Sequence, residues 1–175
     1  MKRVMLLVAV ALCLLMISQA ALAQALSGTY YIPKGTNTQG FTSLNAAFAA
    51  VNANGLSANT TFLIDGDLTE TDTLVLKRSD LSASKALTIK PNTGKKPTII
   101  IKKGYVVSQI SSGAYGLMIF ATPYVSIDGS NAVGGTSRDL TILDSLGGAN
   151  YCSMGLIGRA DNVTIKNLNV RTSVN

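Results

Sequence analysis

The sequence contains no histidine and no tryptophan, and only two of its 175 residues are cysteine. Without histidine the chain lacks His-based metal sites, the Ser-His-Asp triad and the Cys-His pair of nucleophilic catalysis. Cys13 lies in an N-terminal segment that we expect to be removed, which leaves Cys152 without a partner for an internal disulfide. We expect Cys152 to be a small buried hydrophobic residue, and the alternative is a reactive thiol.

Charged residues are also scarce, at 14% of the chain. All but two of the 15 Lys and Arg lie beyond residue 23, together with the 9 Asp and Glu, and the basic residues occur singly or in pairs such as Lys95-Lys96. Nucleic-acid-binding surfaces cluster basic residues and interleave aromatic ones, so this pattern predicts no nucleic-acid partner. The abundance of Ser, Thr, Asn and Gly favours short strands joined by turns.

The N-terminal segment 1–23 has the organisation of a signal peptide. Lys2 and Arg3 precede an apolar run from Val4 to Ile17, and Ala21-Leu22-Ala23 places small residues at the positions that a signal peptidase recognises. The run is shorter than the roughly 20 residues that span a bilayer as a helix. We therefore expect cleavage before Gln24, export by a bacterial cell to its surface or medium, and no transmembrane span in the mature chain.

One helix is predicted over residues 43–53, where apolar residues recur at helical spacing. Thr42 or Ser43 is suited to the N-cap, and Asn54-Gly55 to a left-handed stop. The helix has one apolar face, formed by Leu44, Ala47, Phe48 and Val51, and we expect that face to pack on the first strands, including Phe62 and Ile64.

After this helix the hydrophobic pattern has a period of two, and one strand motif occurs three times. Its copies begin at Ala86, Tyr124 and Asn162, so the second copy lies midway between the other two. Strands that recur at a fixed period are typical of a solenoid, here an all-β parallel β-helix of about three coils. The alternative is an antiparallel sandwich. The β-helix would stack two sets of side chains in columns: inward Leu87, Ile89, Val125, Ile127, Val163 and Ile165, and outward Lys90, Asp128 and Lys166.

The chain resembles the right-handed parallel β-helix (pectin-lyase-like) superfamily over roughly residues 28–175. The similarity lies in residues 41–47 with 62–70, which resemble a capping helix and first coil, and in residues 125–130 and 163–168, which resemble coil strands. The resemblance implies three parts: a signal peptide at 1–23, an N-terminal strand and capping helix at 24–60, and coils at 61–175. The resemblance also implies that the chain is the N-terminal portion of an exported bacterial surface protein and is truncated at its C-terminus. We then expect the last coil to pack against further coils of the same full-length protein.

The residues predict no catalytic or cofactor-binding site. Glycoside hydrolysis needs two carboxylates facing one sugar bond, and no such pair is evident. Asp65, Asp67 and Glu70 are weak candidates for a Ca²⁺ site, although a solvated turn is the simpler interpretation. Tyr105, Tyr124 and Tyr151 are candidates for stacking on a sugar ring, and shielding of the coil edges is the alternative.

These observations together favour an exported extracellular or cell-surface module with a structural or adhesive role, in contact with an extracellular polysaccharide or cell-surface glycan. The alternative is the N-terminal part of a polysaccharide lyase or glycoside hydrolase whose catalytic coils lie beyond residue 175. A third hypothesis, an ice- or crystal-binding face, has less support because Thr88, Ser126 and Thr164 form only one column of hydroxyl groups.

Overall fold

The computed structural model describes residues 24–106, 114–146 and 151–173, so the predicted signal peptide lies outside the described residues. They contain one helix, α1 (Leu44–Asn54), which is too short to cross a membrane. The strands are β1 (Leu26–Ile32), β2 (Leu56–Ile64), β3 (Leu68–Glu70), β4 (Leu74–Leu76), β5 (Leu87–Pro91), β6 (Thr98–Ile101), β7 (Tyr105–Val106), β8 (Ala114–Phe120), β9 (Val125–Asp128), β10 (Leu140–Asp144), β11 (Tyr151–Ile157), β12 (Thr164–Lys166) and β13 (Leu168–Thr172).

The strands form three sheets. The first has the order β1-β2-β5-β9-β12, the second β13-β10-β6-β3 and the third β11-β8-β4, and every pair along these orders is parallel. The short strand β7 pairs with β8 in the antiparallel sense. The predicted parallel pairing of the strands near residues 125 and 163 is confirmed, because β12 lies parallel to β9 with Ile165 opposite Ile127.

The predicted fold class, an all-β right-handed parallel β-helix of about three coils with an N-terminal capping helix, is wrong. The structure has three separate open sheets with five, four and four strands, one of them containing an antiparallel pair.

The error comes from a repeat that is regular in only one part of the structure. Equal spacing along the sequence holds for β5, β9 and β12, where Ile89, Ile127 and Ile165 lie opposite one another in turn. In the second sheet the residues that lie opposite one another are Leu68, Ile99, Ile142 and Val170, and their spacing is unequal. The fixed period therefore describes the first sheet only, because the connections between the strands of the other two sheets differ in length.

The core lies between the three sheets and contains the aliphatic residues that alternate with polar ones along the strands. Leu87, Ile89, Val125 and Ile127 are buried as predicted. Val163 is only half-buried and Ile165 is 36% exposed, because among the described residues β12 is the last strand of its sheet and no further strand covers them.

The predicted outward column is wrong at Asp128, which is only 8% exposed. The chain turns directly after this residue, and its carboxylate accepts hydrogen bonds from the backbone N–H of Ser130 and from Asn167 Nδ2. Lys166 does point outward, and its Nζ lies 3.3 Å from Asp128 Oδ2. Alternation along the strand therefore fails at the residue where the strand ends.

The helix has the predicted ends and the predicted buried face. Ser43 is the N-cap and its Oγ accepts a hydrogen bond from Ala46 N at 3.0 Å, while Gly55 has a φ of 69° after the last turn. Leu44, Ala47, Phe48 and Val51 are buried in the same core as Phe62 and Ile64.

The helix covers the first strands of the second and third sheets. The carboxylate of Glu70, at the end of β3, accepts hydrogen bonds from Leu44 N at 2.7 Å and Asn45 N at 3.2 Å. Asn52 donates from Nδ2 to Val75 O and accepts from Lys77 N with Oδ1, at 2.8 and 2.7 Å. The side chain of Asn52 therefore takes the place of a neighbouring strand along the free edge of β4. It pairs backbone groups that would otherwise be open to another chain and favour aggregation.

Candidate functional site

The three acidic residues predicted as a weak Ca²⁺ site have separate structural roles. Asp65 accepts a hydrogen bond from Asn92 Nδ2 at 2.6 Å, and Asp67 accepts one from Thr98 N at 2.8 Å. Glu70 is buried and binds the first turn of α1. Within the described residues, no group of three or more His, Cys, Asp or Glu side chains has the geometry to hold a metal ion.

The three tyrosines predicted to contact glycans do not form one surface. Tyr105 lies in β7 opposite Tyr115, and Tyr151 begins β11 opposite Ala114, so both lie near the start of β8. Tyr124 follows the other end of β8, has a φ of 55° and packs half-buried against the core. Seven strand residues span about 23 Å, which separates Tyr124 from the other two. Glycan contact at any of the three stays a prediction.

Cys152 is exposed, so the prediction of a buried residue is wrong. It lies in β11, the last strand of the third sheet, opposite Tyr115. The burial expected of a strand cysteine is lost because no further strand lies beyond β11 among the described residues.

A groove lies where the strands of the third sheet end and the chain turns toward the first sheet. It consists of two adjoining cavities that share Ser79 and Ala121. The larger, of about 460 Å³, is lined by the end of α1 and the loop after β4, and the smaller, of about 280 Å³, by the loops after β8 and β11. We call the two cavities together the loop groove. The residues that line it are Asn52, Lys77, Arg78, Ser79, Asp80, Ala121, Pro123, Arg159 and Asp161.

Parallel pairing explains why these residues meet. β4, β8 and β11 are neighbours with Leu76 opposite Ile119 and Leu156 opposite Ile119, so their C-terminal ends leave the sheet at the same side. The loops are therefore stacked at the strand spacing of about 4.8 Å. Loops at the carboxyl ends of parallel strands are a common place for ligand binding.

An ion pair fixes the larger cavity of the groove. Arg78 donates from Nε and Nη2 to the two carboxylate oxygens of Asp80, at 2.6 and 2.9 Å, and from Nη1 to Asn52 O at 3.1 Å. These hydrogen bonds hold the pKa of Asp80 below its ordinary value, although its partial burial acts in the opposite direction. Asp80 is therefore an ionised acceptor at neutral pH and is unsuited to act as a general acid.

The remaining polar groups of the groove are exposed at its surface. Arg159 and Asp161 lie on the loop after β11 and are both exposed, and Lys77 places its Nζ 5.3 Å from the centre of the Phe120 ring. Within the described residues, Arg159 forms no ion pair. Together with the hydroxyl of Ser79, these groups offer hydrogen-bond donors and acceptors side by side.

A second polar cluster supports the loop between β9 and β10. Asp139 accepts hydrogen bonds from Ser137 Oγ and from Asn131 N, and Lys96 Nζ lies 3.7 Å from it; these contacts lower its pKa below the ordinary value. The loop projects from this base, with Val133 98% exposed. Because the hydrogen-bonding capacity of the cluster is used to hold the loop, we assign it a structural role.

No motif in the sequence indicates the groove or brings Arg159 and Asp161 together with Arg78 and Asp80. In the third sheet Leu76, Ile119 and Leu156 lie opposite one another at unequal spacing along the sequence. The loops of this sheet therefore do not recur at the fixed period that made the first sheet recognisable.

Three comparisons with known proteins found no match: no family model, no curated protein and no solved structure is similar to the chain. The resemblance to the pectin-lyase-like superfamily therefore stays a prediction.

Proposed function

We propose that the protein is an exported extracellular or cell-surface module with a structural or adhesive role, and that it contacts a glycan in the loop groove. The observation that carries the proposal is the groove itself, with the ion pair of Arg78 and Asp80 on one side and Arg159 and Asp161 on the other. The export and bacterial surface location rest on the signal-peptide pattern of residues 1–23.

The chemistry of the groove suits the hydroxyl groups of sugars. Each hydroxyl group both donates and accepts a hydrogen bond, and adjacent hydroxyls are matched by the paired atoms of the exposed Arg159 guanidinium and Asp161 carboxylate. Arg78 and Asp80 hold each other in one arrangement, so little side-chain entropy is lost when a ligand binds. The cavity of about 460 Å³ falls within the range of small-molecule sites.

The ion pair with Arg78 argues against Asp80 as the general acid of a glycoside hydrolase. A hydrolase needs one carboxylic acid that carries a proton near neutral pH, which requires a raised pKa. The pKa of Asp80 is lowered by Arg78, so this carboxyl group cannot supply that proton.

Surface plasmon resonance on immobilised polysaccharides tests the proposal directly. The panel contains bacterial, plant and animal polysaccharides. We expect at least one polysaccharide to bind, and Arg159→Ala to weaken that binding about tenfold, as expected for a lost charge-assisted hydrogen bond. Arg138→Ala is the matched control, because Arg138 is also an exposed arginine and lies outside the groove, on the loop between β9 and β10. Retention of no polysaccharide, or equal loss in both variants, contradicts the proposed glycan contact.

Export has its own test. We expect the protein made by its bacterial host to begin at Gln24 by mass spectrometry and to be digested when intact cells are treated with protease. A product that retains residues 1–23 and resists protease in intact cells refutes the surface location.

A further inference from the structure

The backbone of Ala121, in the loop after β8, has a left-handed conformation. Its φ is 46°, a value at which the Cβ of an L-amino acid approaches the backbone closely and raises the free energy. Positive φ values also occur at Asn162 and Asn167, but the short polar side chain of asparagine tolerates them through local hydrogen bonds. An alanine side chain forms no such bonds, so the methyl group at residue 121 needs a separate explanation.

The equivalent position on the next loop is a glycine. Ile157 of β11 lies opposite Phe120 of β8. Gly158 therefore follows β11 as Ala121 follows β8, and its φ is 76°. Glycine adopts such values without a steric cost. A Cβ at Gly158 would lie 3.3 Å from the Ala121 Cβ, so the two turns lie side by side. The turn itself requires no side chain, and glycine would be the less strained residue at position 121.

Hydrogen bonds to both neighbouring loops hold this backbone in place. Ala121 N donates to Ile157 O, at the end of β11, at 2.7 Å. The next residue, Thr122, is fully buried, and its Oγ1 accepts a hydrogen bond from Arg78 N, in the loop after β4, at 2.8 Å. The conformation of Ala121 is thus imposed by its surroundings. Residues held in this way concentrate at active sites and ligand clamps, where the geometry serves function.

Ala121 lies where the two cavities of the loop groove meet. It shares with Ser79 the property of lining both the larger and the smaller cavity. The larger cavity alone has the size of a small-molecule site, so the second cavity beside it provides room for a further unit of the same ligand. The methyl group of Ala121 and the ring of Pro123 supply apolar surface, which suits the C–H groups of a sugar ring. A ligand that occupies both cavities therefore passes beside this methyl group.

We propose that Ala121 is a specificity-determining residue of the loop groove, which selects a segment of at least two linked sugar residues, one in each cavity, with their linkage against the methyl group. This inference rests on the proposed glycan contact and adds the minimum length of the ligand. The contact between the methyl group and the linkage then explains why alanine is present where glycine would be less strained.

Competition by sugar fragments of different length tests the two-cavity assignment. The probe is the polysaccharide that the protein retains in surface plasmon resonance, and the competitors are its monosaccharide, disaccharide and tetrasaccharide from partial acid hydrolysis. We expect the disaccharide to compete at a concentration at least about tenfold lower than the monosaccharide, because it contacts both cavities. Equal competition per mole overturns the assignment while the glycan contact itself stands. Retention of no polysaccharide refutes the glycan contact, and this inference with it.

Ala121→Gly separates a role in binding from a role in packing. It removes both the methyl group and the backbone strain, so the Tm should increase by about 2–3 °C. The affinity for the disaccharide should decrease about fourfold, as expected for the loss of one methyl contact. Ala132→Gly is the matched control, because it removes the same group from an exposed residue outside the groove and should leave the affinity unchanged.

A second variant places a larger side chain at the junction. Ala121→Asn keeps a residue that tolerates positive φ, and circular dichroism verifies that it is folded. Its side chain should obstruct the linkage and weaken disaccharide binding at least about tenfold. A decreased Tm or an unchanged affinity in Ala121→Gly, or undiminished disaccharide binding by folded Ala121→Asn, overturns the proposal.

Discussion

The carboxylate of Glu70 is predicted to anchor the first turn of the helix to the sheets. Glu70 is 2% exposed, and it accepts hydrogen bonds from the backbone N–H groups of Leu44 and Asn45. The first turn of α1 contains no acidic residue, so Glu70 supplies the negative charge that favours a helix N-terminus. Glu70→Gln keeps the shape but turns one acceptor into an NH₂ group that faces a backbone donor. Losing one charge-assisted hydrogen bond and leaving a buried donor unpaired costs about 2–3 kcal/mol.

The free energy of unfolding is measured by urea denaturation followed by circular dichroism. For a chain of this size the loss corresponds to a decrease in Tm of about 5–10 °C. The control is Asp72→Asn, two residues further on, where an exposed side chain pairs with Lys103 at 3.0 Å. That exposed ion pair contributes about 0–1 kcal/mol to the free energy of unfolding. If Glu70→Gln is as stable as the control, the hydrogen bonds from Leu44 N and Asn45 N do not hold the helix in place and the argument for the role of Glu70 fails.

Three further substitutions test the packing of the sheets. Ile127→Ala removes a buried side chain and should lower the free energy of unfolding by about 3 kcal/mol, measured by urea denaturation. Ile165→Ala, at the exposed end of the same column, should lower it by about 1 kcal/mol or less. Equal losses would contradict the assigned burial. Asn52→Ala should accelerate hydrogen exchange at the amide of Lys77, which loses its acceptor, and unchanged exchange would refute that contact. Burial acts to raise the pKa of Asp128, but hydrogen bonds from Asn167, Ser130 and Lys166 outweigh it and lower the pKa below the ordinary value. Its stabilisation is therefore present above the unfolded-state pKa of about 3.9 and is lost as the pH falls through the lower folded-state value. Stability should decrease less steeply below pH ~4 in Asp128→Asn, and parallel acid limbs would contradict this assignment.

The helix could be predicted to within a residue because its determinants are local. Ser43 and Gly55 mark its ends, and Leu44, Phe48 and Val51 follow one another at intervals of four and three residues. The strands of the first sheet were recognisable for the same reason, since alternation within four or five residues is enough to identify a half-buried strand.

The arrangement of the other sheets depends on connections whose lengths carry no sequence signal. An N-terminal strand was expected within residues 24–60, but its place as the first strand of a five-stranded sheet could not be predicted, because Gly28, with a φ of 82°, interrupts its alternation and its register shifts there. Glu70 illustrates the same limit for a single residue. Its partners lie 25 and 26 residues earlier, and nothing near Glu70 in the sequence indicates that a helix N-terminus will contact it.

The buried acidic residues explain why carboxylates alone were a poor guide to function. Glu70, Asp128, Asp139 and Asp144 are all buried, and each accepts a hydrogen bond from a backbone N–H at a turn or helix end. An ionised carboxylate is stable in such a place because its charge strengthens those hydrogen bonds. These four residues are therefore committed to the fold and are unavailable for metal binding or proton transfer. Any ligand contact through a carboxylate in the loop groove then depends on the two acidic residues exposed there, Asp80 and Asp161. The charge of Asp80 is already balanced by Arg78, whereas that of Asp161 is not balanced within the described chain.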